Sequence, residues 1–259
     1  MTNISATIIA RNEERNIGAC LASLDFVAEI VVVDSGSSDR TEEICRADPR
    51  VRYYHHEWRG FGAQKNFAAD QATHDWLLNI DADERVSPEL RASILNADPT
   101  RCDGYRVARE NYFGGRRIRH CGWYPDYNLR LYNRQRCRFG DRLVHEAVEC
   151  PGPVGTLAGN LIHFTYAGIA DYLQRMDRYS TLAAAEAVKE RRRCPGLLAV
   201  VGRSLFTFFK MYILKRGILD GADGFQLSVL YACYTFAKYA KIRELLTAPN
   251  DEHKAQHLY

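Results

Sequence analysis

The sequence predicts an α/β fold: a mostly parallel sheet flanked by helices, followed by a helical region. Three observations carry that expectation. Short apolar, β-branched runs alternate with helical segments of about ten residues over the N-terminal part of the chain, the rhythm of right-handed βαβ units. Two of these runs stop abruptly at carboxylates, Asp34 after Ile30-Val31-Val32-Val33, and Asp81, Asp83 and Glu84 after Trp76-Leu77-Leu78-Asn79-Ile80. From Gly168 onward the apolar period becomes helical.

The elements follow in order. Ser5 to Ala10 reads as a strand, with Asn12 as N-cap of a helix through Leu24. Glu29 to Val33 is the second strand, and Asp39-Arg40-Thr41-Glu42 has the spacing of a capping box before a helix through Ala47. Val51 to His55 is the third strand, Gly60-Phe61-Gly62 a loop, and Ala63 to Ala72 the third helix. The fourth strand is almost purely apolar, as expected of a central strand covered on both faces, and Ser87-Pro88 starts another helix.

With 259 residues, 46% of them apolar, the chain can hold one large or two modest domains with a real core. A net charge of +3 is too small by itself to argue for nucleic acid. The eight cysteines are scattered, with no Cys-x-x-Cys pair, which speaks against zinc. The N-terminal residues do not read as a signal peptide, so the thiols are expected to be reduced and most of them to be small core residues.

The carboxylates carry the chemistry. In an α/β sheet ligands sit at the carboxyl ends of the strands. In extended chain, Asp81 and Asp83 point to the same side, where two hard oxygens can share one divalent cation, Mg²⁺ or Mn²⁺; the alternative is a solvated acidic turn capping the helix that Ser87-Pro88 starts. Asp34 ends its strand at the same sheet edge and can accept hydrogen bonds from a ribose or a base, or else stabilise its own Ser/Gly-rich turn. That turn, Ser35-Gly36-Ser37-Ser38, lacks the glycine spacing of dinucleotide and P-loop sites.

Together, Thr7-Ile8-Ile9-Ala10-Arg11-Asn12-Glu13-Glu14, Val31 to Thr41, Gln64-Lys65-Asn66 and Asp81-Ala82-Asp83-Glu84 resemble the nucleotide-sugar half of a family 2 glycosyltransferase of the GT-A fold. Gly122-Trp123-Tyr124-Pro125-Asp126, Leu143-Val144-His145-Glu146 and Lys215 to Gly221 resemble the branch that adds glucose to the heptose of the lipopolysaccharide inner core. The resemblance implies a donor half at 1–110, an acceptor half at 111–165 and a C-terminal helical, membrane-associating region at 166–259. It implies that Ala10, Arg11 and Glu14 line the uracil and ribose pocket and that Asp34 holds the base or ribose. It places Lys65 near the diphosphate, Asp81 at ribose and metal, and Asp83 at the metal. In this branch His145-Glu146 stands where many relatives carry Glu-Asp, which makes Glu146 the expected general base, with Asp126 and Asp141 as the other candidates. Trp123, Tyr124, Asp126, Arg130 and His145 are the expected acceptor contacts.

Residues 111–149 are rich in arginine, with Arg116, Arg117, Arg119, Arg130, Arg134, Arg136, Arg138 and Arg142 among aromatic rings and few acids. Planar guanidinium groups suit phosphate or carboxylate, and the upstream pattern selects an anionic glycolipid over nucleic acid. His163, behind Leu161-Ile162, is a candidate for a metal or diphosphate site or a structural residue. Farther on, Tyr172, Met176, Tyr179, Leu182 and Ala183 recur at helical spacing, followed by two apolar stretches, Leu197 to Leu214 and Phe225 to Ile242. Each is interrupted by basic residues and is expected to lie in a membrane surface rather than to cross it. The expectation is an inverting transferase that takes a hexose from a UDP-sugar, glucose from UDP-glucose, to a lipid-linked saccharide at the cytoplasmic face of the inner membrane, as a peripheral protein. Transfer to a polyprenyl phosphate or another envelope glycan, and a non-catalytic sugar-nucleotide or glycan binding module, are the alternatives.

Overall fold

The computed structural model describes residues 3–140, 147–190 and 193–247. The chain divides into two compact units, residues 1–112 with 124–165, and residues 113–123 with 166–259. The segments expected as donor and acceptor halves share one sheet in the first unit, and residues 113–123 belong to the second.

In the first unit, β1 (Ile4–Ala10), β2 (Glu29–Asp34), β3 (Val51–His55) and β4 (Trp76–Asn79) are parallel, in spatial order β3-β2-β1-β4. Helices α1 (Ile17–Ala22), α2 (Thr41–Arg46) and α3 (Phe61–Gln71) connect them, as the alternation requires. Beyond β4 the sheet continues through later strands: β5 (Glu84–Val86), then, after α4 (Pro88–Leu95), β6 (Gly104–Phe113), β7 (Arg116–Arg117), β8 (Asp126–Asn133), β9 (Arg138–Phe139), β10 (Val148–Glu149) and β11 (Val154–Tyr166). The order from β4 is β8-β6-β11-β5, with β8 antiparallel to both β4 and β6.

The strands read as continuous apolar runs because the sheet is covered on both sides. Ile30 and Val32 join Ile8, Leu78, α1 and α4 on one face, while Val31 and Val33 join Leu77, Tyr132 and α3 on the other. Ser87 caps α4 by accepting from the Leu90 N–H at 3.2 Å, with Pro88 in the first turn. Gly159, at φ +85°, faces that turn so closely that a Cβ would lie 2.2 Å from the Leu90 nitrogen.

Two sequence expectations are corrected here. Asn12 does not cap a helix: it is left-handed (φ 57°), α1 starts at Ile17, and the Asn12 Oδ1 accepts from the Ser38 N–H at 2.8 Å, tying the β1 loop to the β2 loop. The thiols are not all reduced, because Cys137 and Cys150 form a disulfide. The register of β9 on β10 pairs Phe139 with Val148 and Arg138 with Glu149, so the next pair along is Cys137 and Cys150, a juxtaposition that spacing along the chain does not reveal.

The second unit contains α5 (Ile169–Lys189), α6 (Leu197–Phe209), a wider π-type turn over Lys210–Leu214, a short 3₁₀ segment over Gly217–Asp220 and α7 (Gly221–Thr247). Its core is aromatic: Phe113, Trp123, Tyr166, Tyr172 and Tyr231 pack with Met211, Leu227 and Leu230. Gly224 is required at the start of α7, where a Cβ would lie 1.9 Å from the Gly217 carbonyl oxygen. Along α5 the expected apolar face is displaced by a few positions: Tyr172, Ser180, Ala184 and Ala187 are buried, whereas Tyr179 and Leu182 are exposed.

Candidate active site

The end of β4 turns rather than continuing as a strand, with the Glu84 N–H donating to the Asp81 carbonyl at 2.9 Å. That turn separates the two aspartates, which corrects the expectation of one shared orientation. Asp81 faces two cations, Arg130 Nη2 at 2.7 Å and Lys65 Nζ at 3.3 Å. Asp83 instead faces His163 Nε2 at 3.5 Å, across to β11.

Around Asp81 the cluster is buried and highly ordered. Glu84, fully inaccessible, accepts from Arg130 at 2.7 Å and from the Asp81 N–H at 2.9 Å. Arg130 Nη1 donates to Asn79 Oδ1 at 3.2 Å, and Asn79 Nδ2 donates to the Thr7 carbonyl and hydroxyl. One guanidinium on β8 therefore joins the ends of β4 and β5. Burial would raise the Asp81 carboxyl, but the charges of Arg130 and Lys65 hold it well below the usual carboxylate range. In Glu84 burial prevails, assisted by the neighbouring Asp81 charge, and the carboxyl is raised despite Arg130. Lys65 is 5% exposed and 5.2 Å from the Phe139 ring centroid, and so is no solvated lysine. Its motif neighbours are also engaged: Gln64 Nε2 donates to the His56 carbonyl at 3.1 Å, and Asn66 exchanges two bonds with the Phe139 backbone.

His163 sits between Asp83 and Asn111. Its Nδ1 is 2.6 Å from Asn111 Oδ1 and 3.1 Å from Thr165 Oγ1, contacts that orient the ring with Nε2 directed at Asp83. Burial lowers the His163 pKa, but the bond to Asp83 and the acidic surroundings outweigh it and raise it. Among the described residues no three His, Cys, Asp or Glu side chains converge as a complete metal site. A carboxylate beside an imidazole whose other nitrogen is held by neighbouring side chains is, however, a suitable pair of ligands for a cation that takes its remaining oxygens from a substrate.

The other expected site residues are distributed as follows. Asp34 is 1% exposed; its Oδ1 accepts from the Gly36 and Ser37 N–H groups at 2.7 Å each, and its Oδ2 from the Ser37 hydroxyl. Its side chain thus organises the turn, as the alternative reading held. Ala10 is buried beside it and Arg11 is exposed. Glu14 accepts from the Arg40 N–H at 3.2 Å while its own N–H donates to Asp39 at 3.1 Å.

Among the acceptor candidates, Arg130 belongs to the buried Asp81 cluster rather than to an open surface. Trp123 is 8% exposed within the aromatic core of the second unit. Tyr124, joined to Pro125 by a cis peptide bond, donates to Asn160 Oδ1 at 3.2 Å. Asp126 is paired with Arg109 at 2.5 Å. His145 and Glu146, with Asp141 and Arg142, lie outside the described residues. The basic stretch is not acid-poor in space: Arg134 meets Asp75 at 3.4 Å, Arg138 meets Asp70 at 2.9 Å, Arg136 meets Asp103 and Arg116 meets Asp223 at 3.1 Å. Glu84, Asn79 and Asn111 were not singled out from sequence, although Glu84 stands inside the quoted acidic motif.

A mixed α/β sheet whose parallel half ends in an Asp-x-Asp turn, backed by buried cations, defines a GT-A-type sugar-transfer fold. The chain belongs to glycosyl transferase family 2, whose family model matches residues 5–151. It is 34% identical to the lipopolysaccharide core biosynthesis glycosyltransferase LpsC of Rhizobium meliloti (strain 1021), with 98% of each chain covered. It is 29% identical to an uncharacterized glycosyltransferase of Rickettsia bellii (strain RML369-C), covering 98% of this chain and 91% of the relative. Among solved structures, S. aureus TarS 1-349 in complex with UDP aligns at 16% identity over 94% of this chain and 91% of that one, with a TM-score of 0.44.

Proposed function

We propose that this transferase is inverting and moves glucose from UDP-glucose to the heptose of a lipopolysaccharide inner core, working as a peripheral protein at the cytoplasmic face of the inner membrane. Support for the acceptor class comes from full-length similarity to LpsC, a protein named for lipopolysaccharide core biosynthesis. The observation that carries the chemistry is the division at the β4 end: Asp81 is fixed and kept ionised by Lys65 and Arg130, while Asp83 faces His163 apart from them.

Asp83 and His163 would hold a divalent cation, Mg²⁺ or Mn²⁺, which when bound supplies positive charge to the departing diphosphate. Asn111 keeps His163 Nε2 turned towards that position. Asp81 accepts from the donor ribose, and Lys65, already desolvated, contributes a nearby cation for the diphosphate. Glu146, assigned by its place in the sequence, takes the proton of the attacking acceptor hydroxyl while the glycosidic bond to UDP breaks on the opposite face. Arg130 keeps the Asp81 carboxylate oriented and ionised, and Trp123 supports the second unit through packing. The test is UDP release from UDP-glucose with a heptose-terminated core acceptor, with Mg²⁺, with Mn²⁺ and with EDTA. Acceptor-dependent, EDTA-sensitive release supports the reading. Release that persists in EDTA refutes the metal assignment, and no release with any core acceptor refutes the acceptor.

A further inference from the structure

The second unit displays a broad apolar face along one side. Leu197–Leu214 forms one continuous helical stretch in which only Val200 and Met211 are buried. Two polar side chains of this stretch, Arg203 and Thr207, meet α7. Arg203 donates to the Tyr239 hydroxyl at 3.1 Å and lies over its ring, Thr207 Oγ1 is 3.1 Å from Thr235 Oγ1, and Ser204 donates to its own helix at Val200. The large apolar side chains turn outward instead: Leu198 is 89% exposed, Leu205 65% and Phe206 58%, with Phe209 and Leu214 exposed beside them. The same surface extends along Phe225, Val229 and Phe236 of α7 and over Ile218 and Leu219 of the connection. Displaying so many large apolar side chains is costly in water and favourable against an apolar medium.

Charge narrows the choice of what covers this face. From Leu197 to Leu219 there is no Asp or Glu, whereas Lys210, Lys215 and Arg216 are exposed at its margin. The next acids are already engaged, Asp220 by His120 at 2.9 Å and Asp223 by Arg116 at 3.1 Å. An apolar centre with an uncompensated basic margin complements hydrocarbon beneath anionic headgroups; a second identical copy would set the basic margins against each other. Not every basic residue contributes: Lys241 is turned into α5, where Asp177, Ser180 and Thr181 hold its ammonium.

By length and composition Leu197–Leu214 is long and apolar enough to cross a membrane, but its packing partners argue for a surface position. Helix α7 packs against both α6 and α5, and α5 exposes Arg175, Asp177, Arg178, Glu186 and Lys189. Lipid surrounding the bundle would engulf these charges. We infer that the apolar face formed by α6, the α6–α7 connection and the Phe225–Phe236 stripe lies flat in the surface of a bilayer containing anionic lipid, with α5 left in water. This inference rests on the proposed lipid-linked acceptor only for its purpose, and its test does not use the acceptor.

The experiment is co-sedimentation of the full chain with vesicles of phosphatidylglycerol and phosphatidylethanolamine, compared with phosphatidylcholine vesicles, followed by alkaline carbonate extraction. The wild-type chain is expected to pellet with the anionic vesicles, less with phosphatidylcholine, and to be released by carbonate. Leu205→Asp/Phe206→Asp/Phe209→Asp changes only exposed positions and is expected to lose vesicle binding at least tenfold, on the order of the apolar contribution to interfacial binding. Its circular dichroism spectrum and UDP affinity are expected to match wild type. Lys215→Glu/Arg216→Glu should weaken binding to anionic vesicles by about fivefold or more per residue and leave phosphatidylcholine binding unchanged. A wild-type chain that stays in the supernatant, a triple variant that still pellets, or protein that resists carbonate each overturns the inference. So does a self-associated species in light scattering that the triple variant disperses while neither form binds vesicles. Vesicle binding by a chain that turns over no UDP-sugar would instead leave this surface standing and refute the proposed function.

Discussion

Replacing Arg130 by methionine removes the charge at the centre of the buried cluster while keeping most of the aliphatic volume. The guanidinium touches Asp81 and Glu84 at 2.7 Å each and Asn79 at 3.2 Å, and Glu84 has no access to solvent with which to compensate. Breaking one partner out of a buried ion pair typically costs about 3–5 kcal/mol, chiefly because an unpaired charge is left behind. That is between a fifth and the whole of the stability of an ordinary domain, roughly 5–15 kcal/mol. With the cation gone, the Glu84 carboxyl, already raised by burial, is raised further. Its folded pKa then lies farther above its unfolded value, so the folded state takes up the proton first and the deficit of the variant grows as pH rises from the unfolded carboxylate pKa through the folded one. Urea denaturation followed by circular dichroism, repeated across pH, measures both effects. Adding Glu84→Gln should recover part of the loss, because the double variant no longer buries an unpaired carboxylate at that position. A loss below about 1 kcal/mol in Arg130→Met, or a double variant whose deficit equals the sum of the singles, would refute the cluster as a coupled unit.

Three further outcomes are expected. Asp83→Asn and His163→Ala should each abolish metal-stimulated UDP release, since the proposed reading makes this pair the metal ligands; Mn²⁺ titration by calorimetry in the presence of UDP checks this independently of turnover. Glu146→Gln should lower turnover roughly 10²–10⁴-fold with UDP affinity nearly unchanged, and equal activity would move the base elsewhere. Glu29 is buried, but bonds from Ser5, Thr73 and Arg52 outweigh that and lower its carboxyl from 4.5 to about 2. Such a shift contributes about 3 kcal/mol of stability, present above the unfolded pKa and lost as pH falls through the folded one. The deficit of Glu29→Gln should therefore shrink on acidification, and a deficit independent of pH would refute the assignment.

The fold class was legible because the parallel half of the sheet is covered on both sides, and its strands therefore read as unbroken apolar runs ending at the rim. The roles of the rim residues were less so, because they depend on chain geometry just beyond the strand. Asp34 is where the sequence puts it, at the end of β2, but Gly36 at φ +97° folds the next residues back onto its carboxylate. The arginine-rich stretch looked unpaired because its acids come from far along the chain: Arg134 and Asp75 are 59 residues apart, and Arg138 and Asp70 are 68 apart. Topology, not local composition, brings them together.

The same geometry gives the Asp-x-Asp turn its meaning. Two carboxylates side by side on a strand would be electrically equivalent and would repel each other. By turning at Asp81, the chain gives one carboxylate to Lys65 and Arg130 and leaves the other with an imidazole, so the two differ in net local charge while only two residues apart. A divalent cation beside Asp81 would meet two positive groups within 3.3 Å, whereas beside Asp83 it would meet a single imidazole. On the proposed reading the buried arginine would thereby direct where in the turn a metal sits, although it touches neither member of the proposed ligand pair.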